Sequence, residues 1–117
     1  HRIGTHAVIE NSMITDGCRV DGQVKHSILF AGVKVERGAV IEDAVIMGGT
    51  VVAAGAVVKH CIVAENVTIG RNAVVGAMPT ETEQGVATIG SDVVIGKGAK
   101  ISCNAMVSED VKEGEEV

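Results

Sequence analysis

Aliphatic residues recur along this chain at intervals of mostly five or six positions, from residue 3 to residue 107. A six-residue step is too short for a crossover between parallel strands, which takes a dozen residues or more. It suits one short strand and a tight turn, and three such steps close one triangular coil. The pattern therefore predicts six stacked coils of a parallel β-helix, with every leading aliphatic side chain pointing to a common axis. The leading positions are Ile3, Ile9, Ile14, Val20, Val24, Leu29, Val35, Ile41, Ile46, Val52, Val58, Val63, Ile69, Val75, Ile89, Ile95, Ile101 and Val107.

Small residues mark the predicted corners between strands. Alanine stands four positions after many leading residues, as at Ala39 and Ala56. We expect it where a corner is too tight for a larger side chain. Glycine directly follows several leading residues, and we expect those turns to need unusual backbone dihedrals. These glycines are Gly4, Gly70, Gly90 and Gly96.

Two departures from the repeat are informative. The period fails between Val75 and Ile89, which predicts an extruded loop at 76–88, centred on Met78–Gly85. This loop is either a tolerated insertion or a finger that contacts a neighbouring subunit or domain. After Val107 the chain becomes a charged tail, which we expect to cover the open strand edges of the last coil.

Composition narrows the class of protein. The chain is 46% hydrophobic with one Phe and no Tyr or Trp, and its net charge is −5. Dispersed cations without stacking aromatics argue against nucleic-acid binding. The longest uncharged stretch, 44–58, is shorter than a membrane span, so we expect no membrane partner. An odd count of three cysteines without metal-ligand spacing predicts reduced thiols in a cytoplasmic protein. Because the chain opens inside a repeat, we expect residues 1–117 to be one domain of a longer protein.

Polar residues at the predicted corner after the second strand of successive coils stack into two columns. We interpret them as a surface ladder in which opposite charges on neighbouring coils favour the correct stacking. A metal site or a catalytic His–Asp–His group is the alternative. The charged column is Glu10, Lys25, Glu42 and Lys59, and the column beside it is Asn11, His26, Asp43 and His60.

Other candidate chemistry is sparse. His1 and His6 have the spacing of zinc ligands in hexapeptide-type carbonic anhydrases, but a third matching histidine is not evident. Hexapeptide acyltransferases use a histidine as general base, and none here stands outside the corner column with an obvious acidic partner. Cys18 and Cys103 fit packing roles better than nucleophilic ones. The sequence therefore predicts no catalytic, cofactor-binding or metal-binding residue in this segment.

The stretch 24–52 resembles the C-terminal domain of bacterial glucose-1-phosphate adenylyltransferase (ADP-glucose pyrophosphorylase). The specific features are the phrases Ser27-Ile-Leu-Phe-Ala-Gly32 and Val45-Ile-Met-Gly-Gly49 and the 15-residue coil from Val20 to Val35. Residues 10–22 and 62–70 fit the same family. The resemblance implies left-handed coiling, which the spacing alone does not determine.

By this resemblance, the parent protein joins ATP and glucose 1-phosphate into ADP-glucose and pyrophosphate for glycogen synthesis. ATP and Mg²⁺ are expected only in a separate N-terminal catalytic domain, so no catalytic residue carries over. The segment would contact that domain and other subunits of a homotetramer, and share in binding an allosteric effector. Three alternatives stay open: a catalytically silent paralogue subunit, a hexapeptide acyltransferase that uses acetyl coenzyme A, and a purely structural module. Dispersed surface charge, or contact with an anionic effector, would explain Arg37, Arg71, Lys97 and Lys100.

Overall fold

The computed structural model describes residues 2–5, 7–81 and 85–117, and these form eighteen short parallel strands. Each strand is two or three residues long and contains one leading aliphatic residue. In chain order the strands are β1 Arg2–Ile3, β2 Val8–Glu10, β3 Met13–Ile14, β4 Arg19–Val20, β5 Gln23–Lys25, β6 Ile28–Leu29, β7 Lys34–Val35, β8 Val40–Glu42, β9 Val45–Ile46, β10 Val51–Val52, β11 Val57–Lys59, β12 Cys61–Val63, β13 Thr68–Ile69, β14 Val74–Val75, β15 Ala87–Ile89, β16 Val94–Ile95, β17 Lys100–Ile101 and β18 Met106–Val107.

Three sheets form the sides of the prism, because each strand pairs with the strand three places further along the chain. Sheet A runs β1-β4-β7-β10-β13-β16, sheet B runs β2-β5-β8-β11-β14-β17, and sheet C runs β3-β6-β9-β12-β15-β18. The architecture is a solenoid of six turns, as predicted for a left-handed β-helix of hexapeptide repeats. Each turn presents one strand to each sheet, so a residue's place in the repeat decides its face.

The core confirms the predicted register. From Val20 to Val107, all fifteen leading residues are buried, most of them completely. The first coil is the exception: Ile3 is 44% exposed, and Ile9 and Ile14 are only partly buried. Their side chains lie at the open end of the prism, where no preceding coil covers them among the described residues.

The corner alanines have the predicted role, but the glycines do not. The amides of Ala39, Ala56 and Ala73 each close a turn by donating to the carbonyl three residues earlier. Left-handed backbone occurs one position before these alanines, as at Gly38 (φ 80°), which a type II turn requires. The dihedral prediction for Gly4, Gly70, Gly90 and Gly96 is therefore wrong, since none of them has a positive φ.

Close approach of the next coil explains two of these glycines. A Cβ on Gly70 would lie 2.7 Å from the carbonyl oxygen of Ile95, and a Cβ on Gly96 would lie 2.7 Å from the carbonyl carbon of Lys112. Ordinary Cβ contacts are longer. Glycine is therefore needed at these positions because the next coil leaves no room for a Cβ atom, and not because of the backbone dihedral angles.

Both predicted departures from the repeat are present. The loop between β14 and β15 leaves the corner of the fifth coil, and its described residues 78–81 are exposed. The tail does more than cover the last coil, because it begins a seventh turn. Val111 forms a bridge with Ile95, and Glu116 forms one with Lys100. These pairings occupy the outer edges of sheets A and B.

Candidate functional site

The corner between sheets B and C contains a column of polar residues with left-handed backbone. Asn11, His26, Asp43 and His60 have φ values of 47°, 48°, 54° and 48°. Each is the first residue after its strand of sheet B, at the corner where successive leading residues are five positions apart. Asn, Asp and His are enriched among non-glycine residues with positive φ. The same residue types could have indicated this backbone conformation from the sequence.

The neighbouring charged column has the predicted register. Glu10 pairs with Lys25, Lys25 with Glu42, and Glu42 with Lys59. Lys59 Nζ lies 3.9 Å from Glu42 Oε2, with both side chains about one third exposed. Partly exposed pairs of this kind stabilise a fold by about 0–1 kcal/mol each. The contribution to stability is small, but a one-coil slip would place like charges together.

Asp43 and His60 form a hydrogen bond between side chains at this corner. Asp43 Oδ2 lies 2.8 Å from His60 Nδ1, and the side chains are 46% and 25% exposed. With Asp43 ionised, Nδ1–H donates the hydrogen bond and leaves Nε2 as the acceptor of a neutral ring. Such a pair could act as an oriented general base. The sequence suggested a catalytic His–Asp–His group as the alternative to a surface ladder, and the structure brings Asp43 and His60 of that group into contact.

Serine hydroxyls complete the backbone hydrogen bonding at the same corner. Ser27 Oγ donates to the carbonyl of Lys25 (2.8 Å) and accepts from the amide of Ala44 (3.0 Å). Ser12 Oγ likewise accepts from the amide of Ser27 (3.1 Å). These hydroxyls link each tight corner to the coil above it.

The cysteines are free thiols in structural positions. Cys18 and Cys61 are buried, whereas Cys103 is partly exposed. Burial raises the pKa of the Cys61 thiol to about 12. Because the thiolate is the nucleophile and metal ligand, Cys61 is inert at neutral pH.

The four cations that the resemblance suggested do not form one cluster. Arg37, Arg71 and Lys97 lie on turns at the corner between sheets A and B. Arg71 and Lys97 are on successive turns, and Arg37 is two turns from Arg71. Lys100 projects from sheet B, with Nζ 4.0 Å from Glu116 Oε1.

The outer face of sheet C carries an apolar stripe that the sequence argument missed. The stripe consists of one outward residue per coil, paired strand to strand, and five of the six side chains are apolar. Met13 and Met106 at its two ends are 63% and 85% exposed. The spacings between its members along the chain are 15, 17, 17, 26 and 18 residues, the same as those between the leading residues of sheet C, and they contain the signal that would have revealed it. The members are Met13, Ile28, Val45, Ile62, Thr88 and Met106.

The described residues offer no group of three His, Cys, Asp or Glu side chains that could hold a metal ion. His1 and His6 lie outside the described residues, so the prediction that they hold no metal ion, despite the spacing of their side chains along the sequence, stays a prediction. No helix long and apolar enough to cross a membrane occurs in the described part of the chain.

The stacked hexapeptide coils define the class of protein as a hexapeptide-repeat β-helix. Residues 1–95 match the family model described as GlmU-like, C-terminal hexapeptide. The chain therefore belongs to the GlmU-like C-terminal hexapeptide family.

Part of the chain is also related to glucose-1-phosphate adenylyltransferases, as the sequence resemblance predicted. The enzymes of Bacillus thuringiensis (strain Al Hakam) and Bacillus mycoides (strain KBAB4) are each 48% identical over 42 residues. This stretch is 36% of the chain and spans only 11% of the length of those relatives.

Solved structures with a similar trace include acetyltransferases. PerB from Caulobacter crescentus, in complex with CoA and GDP-perosamine, has a TM-score of 0.45 and 20% identity over 91% of this chain and 52% of its own. The acetyltransferase domain of PglB from Neisseria gonorrhoeae FA1090 has a TM-score of 0.40 and 19% identity, and the match covers 98% of this chain and 52% of the PglB chain. Similarity of this degree carries no argument about function.

Proposed function

We propose that this chain is the assembly and regulatory domain of a glucose-1-phosphate adenylyltransferase and that it self-associates through sheet C. The catalytic context is supported by the family membership and by the 48% identity over 42 residues. The observation that carries the assembly role is the apolar stripe of sheet C. Contiguous exposed apolar surface on a soluble domain marks an interaction site.

A second copy of the chain is the occupant that this surface fits best. The chain has a net charge of −5, so the overall charge of two copies opposes their association. The stripe contains no charged residue, and it allows close approach without like charges meeting. A two-fold axis between Val45 and Ile62 would place Met13 of one copy near Met106 of the other, which makes the contact self-complementary.

Phe30 lies beside the stripe and would extend the contact. It is the one aromatic residue of the chain and is 44% exposed. With Ala31, Met47, Gly48 and the charged Glu65 it lines a depression of about 370 Å³ on the corner next to sheet C. Phe and Met are enriched in the buried cores of protein interfaces.

Sedimentation velocity of the chain over a range of concentrations tests the assembly role. We expect self-association, and we expect Ile62→Lys to weaken it by about tenfold or more, because the charge would be buried unpaired. Val94→Lys is the matched control, since Val94 is similarly exposed but faces outward from sheet A. Circular dichroism confirms that both variants are folded. A chain that stays monomeric, or equal weakening by both variants, would refute the proposal.

The assignment to a glucose-1-phosphate adenylyltransferase has a separate test. The protein that contains this chain is expected to release pyrophosphate from ATP and glucose 1-phosphate in the presence of Mg²⁺. A silent paralogue would be inactive alone but would change the activity of a catalytic subunit mixed with it. Failure of both assays would overturn the adenylyltransferase assignment and leave the assembly result standing.

An acyltransferase is the second candidate, and the Asp43–His60 hydrogen bond is the observation that favours it. The pair lies on a convex corner of the prism, so it would need a second subunit to form a substrate cleft. Calorimetry with acetyl coenzyme A separates the two functions. Micromolar binding that is lost in His60→Gln and kept in His26→Gln would favour the acyltransferase.

A further inference from the structure

The last coil leaves one of its three strand edges uncovered. β18 is the outermost strand of sheet C, and in the described part of the chain no strand pairs with its outer edge. The tail covers the other two sheets. In sheet A the amide of Val111 donates to the carbonyl of Val94 (2.9 Å), and in sheet B the amide of Val117 donates to the carbonyl of Lys100 (2.8 Å). The seventh turn therefore has two of its three sides.

The backbone groups at the outer edge of β18 match those that join the inner coils. In each of the first five coils, the amide that follows the leading residue of sheet C donates to a carbonyl of the next coil. Ser108 has the same position after Val107, and it faces a side of the seventh turn that no described strand occupies. Met106 faces the same way, because the carbonyls on either side of it accept from the preceding coil. The amides of the inner coils belong to Thr15, Phe30, Met47, Ala64 and Gly90.

A depression of about 250 Å³ adjoins this edge. Its apolar part consists of Val107, Val111 and Val117, of which Val117 is 46% exposed. The inward side chain of a further strand would lie against Val107, just as Val107 pairs with Ile89 of the coil before it. The site therefore suits a small aliphatic side chain of the kind that fills the rest of the core.

The surroundings of the edge are strongly acidic. The charged tail contains five carboxylates and one lysine. Glu109, Asp110 and Glu115 line the depression. Asp110 and Glu115 each accept a hydrogen bond from a backbone amide (2.9 and 2.8 Å), which holds their charge at this rim. Two copies that met edge to edge would bring both sets of carboxylates together, and charged residues at strand edges oppose such pairing. The edge therefore favours a strand flanked by cations.

We propose that the outer edge of β18 binds an extended basic peptide segment of another protein as a nineteenth parallel strand. In strand addition, backbone hydrogen bonds provide affinity and alternate side chains provide specificity. The segment has one small aliphatic residue that faces the prism axis, with lysine or arginine on both sides of it. This proposal depends neither on the adenylyltransferase assignment nor on self-association through sheet C.

Fluorescence anisotropy tests the site with a labelled peptide, acetyl-Lys-Lys-Thr-Val-Lys-Lys-amide, titrated with the chain. We expect saturable binding. The same peptide with an N-methylated valine should bind at least about tenfold more weakly, because it cannot donate to the carbonyl of Met106 and its methyl group separates the strands. A peptide with glutamate in place of every lysine should also bind at least about tenfold more weakly, since the tail repels it.

A substitution at Ser108 tests the edge from the side of the protein. Ser108→Pro removes the exposed amide and should weaken peptide binding about three- to tenfold, the effect of one hydrogen bond. Proline is tolerated on an edge strand where the amide faces solvent, so the melting temperature should stay the same. Ser108→Ala is the matched control, because it keeps the amide and should bind the peptide like the native chain.

Four results would overturn the proposal. They are absence of saturable binding, equal binding of the N-methylated peptide, equal binding of the glutamate peptide, and equal weakening by Ser108→Pro and Ser108→Ala. If Ser108→Pro failed to fold, the N-methylated peptide and the native chain would decide the question alone. Sedimentation velocity identifies the other occupant: if Ser108→Pro weakened self-association and left peptide binding unchanged, the edge would bind a second copy and the proposal would be wrong.

Discussion

Three substitutions of increasing severity at Ile69 test the prediction that the leading side chains point into the core. Ile69 is fully buried in β13, where it pairs with Val52 on one side and Ile95 on the other. Ile69→Val removes one methyl group, and such changes cost about 0.5–1.5 kcal/mol. Ile69→Ala leaves a cavity at a cost of about 2–5 kcal/mol. Ile69→Asp adds the desolvation of a carboxyl group without a partner, which is several kcal/mol more.

The largest of these losses approaches the whole stability of a domain, which is about 5–15 kcal/mol. We therefore expect Ile69→Asp to unfold at least the coils that contact it, since repeats are stabilised mainly by their nearest neighbours. Urea denaturation followed by circular dichroism gives the free energy of unfolding for each variant. Hydrogen exchange shows whether the coils around β13 open before the rest.

Thr68→Asp is the matched control on the same strand. Thr68 is exposed on the outer face of sheet A, one residue before Ile69. Surface substitutions of this kind usually change stability by no more than about 0.5 kcal/mol. If Ile69→Asp left the free energy of unfolding unchanged, or if Thr68→Asp lowered it as much, the inward register would be wrong.

Three further changes probe the corners. Burial raises the pKa of Cys61 from 9.0 to about 12. The stability that the fold gains from keeping this thiol protonated is therefore complete below about pH 9, and it is lost as the pH rises towards 12. The slope there is at most about 1.4 kcal/mol per pH unit, and melting temperatures should fall less steeply in Cys61→Ala. Ser27→Ala should lose about 1–3 kcal/mol in urea denaturation, because the buried amide of Ala44 loses its acceptor. Gly22→Ala should lower the melting temperature more than Gly98→Ala, since its Cβ would overlap backbone atoms of the next coil, whereas Gly98 has open space.

Different results would contradict each argument. Parallel pH profiles for the native chain and Cys61→Ala would mean that the thiol is not desolvated. An unchanged free energy of unfolding in Ser27→Ala would mean that water reaches the corner and replaces the lost hydrogen bond. A larger effect at Gly98, which has φ of 70°, would show that dihedral strain outweighs the close approach at Gly22.

The spacing of aliphatic residues determined the fold of this protein. A step of five or six residues leaves room for one short strand and one turn, and the strand alternation then directs each leading side chain inward. Val20, Ile46 and Ile95 are buried for this reason alone. The alternating charges from Glu10 to Lys59 were predicted from the same spacing, because a residue's position in the repeat determines its position in the column.

Only the tertiary structure decided which side-chain atoms of the outward residues meet. The contact of Asp43 with His60 depends on side-chain rotamers and left-handed corners, which the repeat period does not specify. The period fixes which residues point outward, but contacts on the outer surface depend on coil register and local backbone geometry.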